Sequence, residues 1–235
     1  MLRLEKMSCG YGPVRAVDDL SFDLPAGALL ALLGPNGAGK TSTMMAIMGH
    51  TTILGGRILF EGKDITREPA IKRAARGIAL VPEGRRLFAD LTVEENLTVG
   101  GYSLPSPRDT VNRERVYALF PRLGDRRKQI AGSMSGGEQQ MLAIARALMA
   151  EPKLLLIDEL SLGLMQKIVD LCFETLAQLR RQGLTVLLVE QNTTRALEIA
   201  DTVCILVSGS LVFSGPAAAA RNDASLFETF VGSSH

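Results

Sequence analysis

The chain has 235 residues, 46% of them apolar and 22% charged, with 26 basic side chains against 25 acidic ones. That length and apolar content suit one folded domain with a substantial core, and a net charge of +1 gives no electrostatic case for a nucleic-acid partner. No stretch approaches the roughly 20 apolar residues of a membrane helix, and Met1-Leu2-Arg3-Leu4-Glu5-Lys6 lacks a signal peptide's apolar core, so work at a membrane requires docking to something that spans it.

In chain order, residues 20–24 and 28–33 read as strands divided by the turn signal Pro25-Ala26-Gly27. The second is apolar on both faces, as a parallel strand covered from both sides is. The next helix starts near Lys40 and stops at Gly49, and residues 55–62 read as a small β element bounded by glycines. From 85 to 150 the texture turns charged, helical and loop-rich, with Pro105, Pro107 and Pro121 as punctuation, which marks an inserted helical subdomain. Strand patterns return at 154–157, 185–189 and 204–207, the last turning through Ser208-Gly209-Ser210 into 211–213. Residues 167–181 are helical and stop at Gly183. Strands alternating with helices define an α/β fold with a largely parallel sheet. Cys9, Cys172 and Cys204 are odd in number and far apart, which excludes a disulfide framework or zinc cluster and makes a reducing cytosol the expected compartment.

Three stretches carry chemistry. Gly34-Pro35-Asn36-Gly37-Ala38-Gly39-Lys40-Thr41 follows a buried strand and opens a helix, the context of a Walker A loop. Glycines let the backbone wrap a phosphate, Lys40 neutralises the β- and γ-phosphates, and the Thr41 hydroxyl is a ligand for Mg²⁺. About 100 residues on, Ser135-Gly136-Gly137-Glu138 combines a capping box with two glycines. By itself it reads as an ordinary well-capped core helix. The two glycines cost about 1 kcal/mol each against alanine, a cost that makes sense if the helix start must approach a phosphate. Finally, residues 154–157 lead into Asp158 and Glu159, which places one carboxylate at a metal and the next at an attacking water.

Together these residues resemble the nucleotide-binding domain of ABC transporters across essentially the whole chain. The resemblance implies a P-loop NTPase core of the RecA-like kind, an N-terminal antiparallel β subdomain and the inserted helical subdomain. It implies one domain over 1–235, with core and β subdomain in 1–84 and 151–215, the helical part in 85–150 and a C-terminal tail in 216–235. ATP and Mg²⁺ are the implied ligands. Gly34 to Ser42 hold the nucleotide, Tyr11 stacks on adenine, Thr41, Asp158 and Glu83 serve the metal, and Lys40, Glu83, Glu159 and Gln191 serve catalysis. Ser135, Gly136, Gly137 and Glu138 act in trans, closing over ATP held by another subunit.

A narrower resemblance, to LivF-type ATPases of branched-chain amino-acid importers, rests on Val81-Pro82-Glu83-Gly84-Arg85-Arg86, residues 91–97, 120–123 and 134–144, and Val189-Glu190-Gln191-Asn192. It implies a second ATPase subunit, two membrane permeases, an extracytoplasmic solute-binding protein, no nucleic acid, and a peripheral place on the cytoplasmic face of the inner membrane. Relatives that serve urea or short-chain amide importers are the alternative. Less favoured are a non-transport ABC ATPase and a nucleotide-gated regulator that does not hydrolyse. The membrane-docking surface is expected at 83–95, with Phe88 and Leu91 as apolar contacts and Arg85 and Arg86 as surface solvation.

The chain also departs from the family. Glu83 replaces the usual glutamine and cannot donate to a phosphate. Gln191 replaces the switch histidine, and the two histidines, His50 and His235, are elsewhere. Leu160 replaces a proline and Met165-Gln166 an Ala-Pro pair, substitutions expected to loosen the loop across the dimer interface by about 0.4–1 kcal/mol each.

Overall fold

The computed structural model describes residues 1–102 and 106–222. Pro105 and the tail beyond Asn222, His235 included, lie outside them. In order the elements are β1 (Leu2–Tyr11), β2 (Val14–Leu24), β3 (Leu29–Leu33), α1 (Lys40–Met48), β4 (Thr52–Phe60), β5 (Lys63–Asp64), α2 (Ala70–Ala75) and β6 (Ile78–Val81). There follow α3 (Val93–Gly100), α4 (Ser106–Leu119), α5 (Pro121–Asp125) and α6 (Gly136–Leu148). The chain closes with β7 (Leu154–Asp158), α7 (Gln166–Arg181), β8 (Thr185–Val189), α8 (Thr193–Ile199), β9 (Thr202–Val207), β10 (Ser210–Pro216) and α9 (Ala217–Arg221).

Two sheets form. The larger runs β10-β9-β3-β8-β7-β6; its β9, β3, β8, β7 and β6 are parallel, and β10 is an antiparallel edge. The smaller, β2-β1-β4-β5, is antiparallel throughout. Side chains alternate across a strand, so a strand covered on both faces feeds two cores at once. Strand β3 does this: Leu29, Ala31 and Leu33 join the core shared with the helical segment and α7, while Leu30 and Leu32 join the core under α1 and the smaller sheet. Strands β7, β8 and β9 split in the same alternating way.

Strand β6 is an addition to the sequence reading. Ile78–Val81 is a short apolar run inside an unpromising stretch, and pairing with β7 makes it an edge strand. Strand β1 and the first half of β2 were equally faint, because exposed polar residues interrupt their apolar positions. The residues after Gly215 are not a loose tail at their start. Ala217 and Ala220 of α9 are buried, and Arg221 donates to the Leu197 carbonyl.

Helix α7 ends as its sequence demands. Gly183 takes φ +94°, its N–H donates to the Arg180 carbonyl, and Leu184 N–H donates to the Leu179 carbonyl. That pairing satisfies the last turn's orphan acceptors.

Candidate nucleotide site

The loop after β3 wraps into the start of α1. Gly39 is the residue before the helix and sits at φ +99°. A Cβ there would meet the Ala16 carbonyl at 2.7 Å and Val17 Cγ2 at 2.8 Å, so both conformation and space demand glycine. No acidic side chain lies in the first turn of α1 and no side chain caps it. The helix therefore presents bare backbone N–H groups and the positive end of its dipole, which is anion-binding geometry.

Above this loop lies a cavity of about 460 Å³. Asn36 to Ser42 line it together with Glu83, Glu159 and Gln191, and so do Ala16 and Leu162, which belong to no motif. The carbonyls of Gly34 and Pro35 accept from Lys40 Nζ at 2.8 and 3.0 Å. Lys40 is 5% exposed, and burial holds its ammonium below its ordinary pKa against the pull of Glu159, Asp158 and Glu190. An anion in the cavity would relieve that cost.

Asp158 ends β7, 1% exposed, and its carboxyl is pushed up to about 6, chiefly by burial. Thr41 Oγ1 donates to Asp158 Oδ1 at 3.2 Å. One hydroxyl and one buried carboxylate make a hard oxygen set of the sort Mg²⁺ accepts when phosphates and waters complete its shell. Among the described residues, no group of three His, Cys, Asp or Glu converges to hold a metal. Glu83 lines the same cavity, and its charge adds to the upward push on the Asp158 carboxyl.

Glu159 follows in the left-handed region, φ +52°. Such backbone costs a non-glycine residue energy and persists only where its surroundings hold it. Here the Glu159 N–H donates to the Val189 carbonyl at 3.0 Å. The amide of Gln191 donates from Nε2 to both carboxylate oxygens, at 2.6 and 2.7 Å. A glutamine at position 191 can therefore reach the Glu159 carboxylate, although it cannot carry a proton as imidazole does.

Ser135 to Glu138 do not line this cavity. Ser135 Oγ accepts from Glu138 N–H, and Glu138 Oε2 accepts from the Ser135 N–H and hydroxyl, which completes a capping box at the start of α6. The Glu138 carboxylate, also ion-paired with Arg126 at 3.5 Å, is committed to the cap and has little left for a nucleotide. The two glycines have a reason inside the chain. A Cβ on Gly136 would press on the Arg85 guanidinium at 3.1 Å, and one on Gly137 would meet Ile168 at 2.8 Å.

Tyr11 is half exposed at the end of β1, its hydroxyl accepts from Thr51, and it lies outside the cavity lining. Arg85 is not surface solvation: it donates to Gln139 Oε1 at 3.1 Å, while Arg146 reaches the Arg85 and Arg86 carbonyls and sits over the Phe88 ring. Phe88 is 47% exposed, whereas Leu91 is partly buried. Leu160 is a fully buried core residue, so the place of a family proline is taken by a side chain that anchors the loop. The expected loosening does not hold at that residue. All three cysteines are free and buried, with Cys9 and Cys204 thiols pushed up to about 11 and Cys172 to about 12.

The ABC transporter family model matches residues 17–161, which run from β2 through the loop after Glu159. The chain belongs to the ABC transporter family. BraG of Pseudomonas aeruginosa, a high-affinity branched-chain amino acid transport ATP-binding protein, is 45% identical over 99% of this chain and 100% of its own. LivF of Archaeoglobus fulgidus, a probable branched-chain amino acid transport ATP-binding protein, is 38% identical over 92% of each chain. An ATP-binding subunit of an ABC transporter superposes with TM-score 0.83 at 28% identity, covering 96% of this chain and 94% of that one. A nucleotide-free cassette superposes at TM-score 0.86 with 24% identity and covers 97% of each chain, which supports the fold. The chain is an ABC-type ATPase, and no described helix is long and apolar enough to cross a membrane.

Proposed function

We propose that this ATPase energises import of branched-chain amino acids, as one of a pair of cassettes docked on two permeases at the cytoplasmic face of the membrane. The observation that carries the solute class is the end-to-end likeness to BraG. An extracytoplasmic binding protein delivers the solute on the far side.

Within one cassette, the α1 N-terminus and Lys40 take the phosphates. Thr41 and Asp158 would hold Mg²⁺, which when bound supplies charge neutralisation at the transferred phosphoryl group. Glu159 orients the attacking water and takes its proton, and the Gln191 amide, bound to both Glu159 oxygens, aims the carboxylate. The start of α6 lies outside the cavity, so a second cassette completes the site with Ser135, Gly136 and Gly137. Half-exposed Phe88, beside the loop that carries Glu83, is a contact for the permease.

The test is ATP hydrolysis by the purified chain, alone and with permeases, sister ATPase and a leucine-loaded binding protein, with Glu159→Gln as control. Turnover that disappears in the control and rises with leucine supports the reading. Stimulation by a urea-loaded binding protein in place of the leucine-loaded one would move the solute class. Tight ATP binding without turnover in every assembly would sink the motor.

A further inference from the structure

Strand β8 ends at Val189, and the next side chain, Glu190, is 1% exposed. A carboxylate so deeply buried is costly unless its oxygens are fully used. They are used. Oε1 accepts from the Ser161 N–H at 2.8 Å, and Oε2 accepts from the Ser161 hydroxyl at 2.8 Å, the Gln191 N–H at 3.0 Å and the Asn192 N–H at 3.2 Å. The four neutral donors come from two separate loops, one following Glu159 and one carrying Gln191. An ionised carboxylate accepts at both oxygens, whereas an amide offers only one acceptor.

The residues on either side show what this fastening achieves. Glu159 is held to the end of β8 by its own N–H, Leu160 is sunk in the core, and Ser161 is tied to Glu190. Directly after Glu190, the Gln191 side chain doubles back onto both oxygens of Glu159. If Ser161 and the Gln191 backbone were free to drift apart, that two-point contact would have no fixed base. We propose that Glu190 is a positioning residue for hydrolysis: its carboxylate latches the loop after Glu159 to the loop of Gln191, so that the Gln191 amide meets the Glu159 carboxylate. The inference rests on the reading of Glu159 as the hydrolytic base. Glu190 itself does not line the cavity.

The experiment compares Glu190→Gln, Gln191→Ala, the double variant and Glu159→Gln in the full chain. It measures steady-state kcat, the Kd of a fluorescent ATP analogue, and thermal unfolding. Glu190→Gln, nearly isosteric, should leave the Kd within about twofold and lower kcat by about tenfold or more, the scale of lost outer-shell support. The double variant should be no slower than Gln191→Ala alone, because both act through one contact. A merely structural role would change Kd and kcat together and give losses that multiply in the double. Either result overturns the latch, as does a parental rate in Glu190→Gln or in Gln191→Ala. Should Glu190→Gln fold poorly, Ser161→Ala removes one latch donor at a partly exposed residue and should lower kcat with unchanged Kd. A parental kcat there also counts against the latch. Turnover that survives Glu159→Gln sinks the base assignment together with the latch, whereas loss in Glu159→Gln with parental Glu190→Gln sinks the latch alone.

Discussion

Two neighbouring carboxylates at the end of β7 have opposite environments, and each sets a measurable outcome. Glu159 is partly exposed and aimed by Gln191; removing its charge while keeping its shape should cost the base and little else. Glu159→Gln is expected to lower kcat by about 10²–10⁴-fold with ATP affinity unchanged, measured by phosphate release beside analogue binding. Asp158 is buried, and its carboxyl stands at about 6 against an ordinary 3.8. A folded-state value above the unfolded one means the folded chain keeps the proton longer. The stability of the protonated form is therefore complete below about 4 and is lost as pH rises through about 6. In Mg²⁺-free buffer at pH 7.5, Asp158→Asn should accordingly raise stability by on the order of 2 kcal/mol. The gain should shrink towards pH 5, followed by thermal unfolding. An equal or lower Tm at pH 7.5 would contradict the electrostatic reading. With Mg²⁺ and ATP the same variant should bind metal poorly, because stability has been traded for a ligand.

At the scale of elements, the loop from Glu159 into α7 shows what a residue pattern can and cannot say. Met165 precedes the helix with φ −65° and ψ 143°, and Gln166 is its first residue. Extended backbone before a helix start is what a following proline requires, and the first helical position is the one proline tolerates best. Gln166→Pro is therefore expected to stabilise the chain by about 0.4–1 kcal/mol through the unfolded state, less the exposed Gln166–Asp170 hydrogen bond. Denaturant unfolding reads the gain, and a loss would mean that the helix start is strained. Leu160 offers the opposite lesson. Sequence comparison with a family pattern identifies a missing proline, but only packing reveals that the replacement is a core side chain. The phosphate loop, the β7 acids and the capping box were legible because each depends on local chemistry: glycine φ, a strand end, a helix start. Strand β6, the Glu190 latch and the Arg85–Gln139 contact were not, because they join residues far apart in sequence whose types are individually unremarked. Glu190 did carry one signal, an acid directly after an apolar strand.

For the whole molecule, the proposed pairing divides each site between two chains. The P-loop and Glu159 share one cavity, with Asp158 buried behind Thr41, and the glycines at the start of α6 lie outside it, against Arg85 and Ile168. A second copy presenting its α6 start would complete the cavity, and a two-fold pairing would build two such composite sites. Lys40→Ala disables the phosphate loop, and Ser135→Arg blocks the start of α6; each variant alone should be inactive as a self-paired dimer. Mixed one to one, half of the dimers combine the two variants. In those, one site has both lesions and the other has neither. Recovery of about a quarter of the parental ATPase rate is expected if each intact site turns over independently, measured at protein concentrations where the parent is dimeric. Sites built within one chain would give no recovery at any ratio, because every chain carries a lesion in its own site. Recovery that grows with the square of total protein at a fixed one-to-one ratio would leave the composite arrangement standing but point to weak pairing, the behaviour of a cassette whose tighter partner is a different chain.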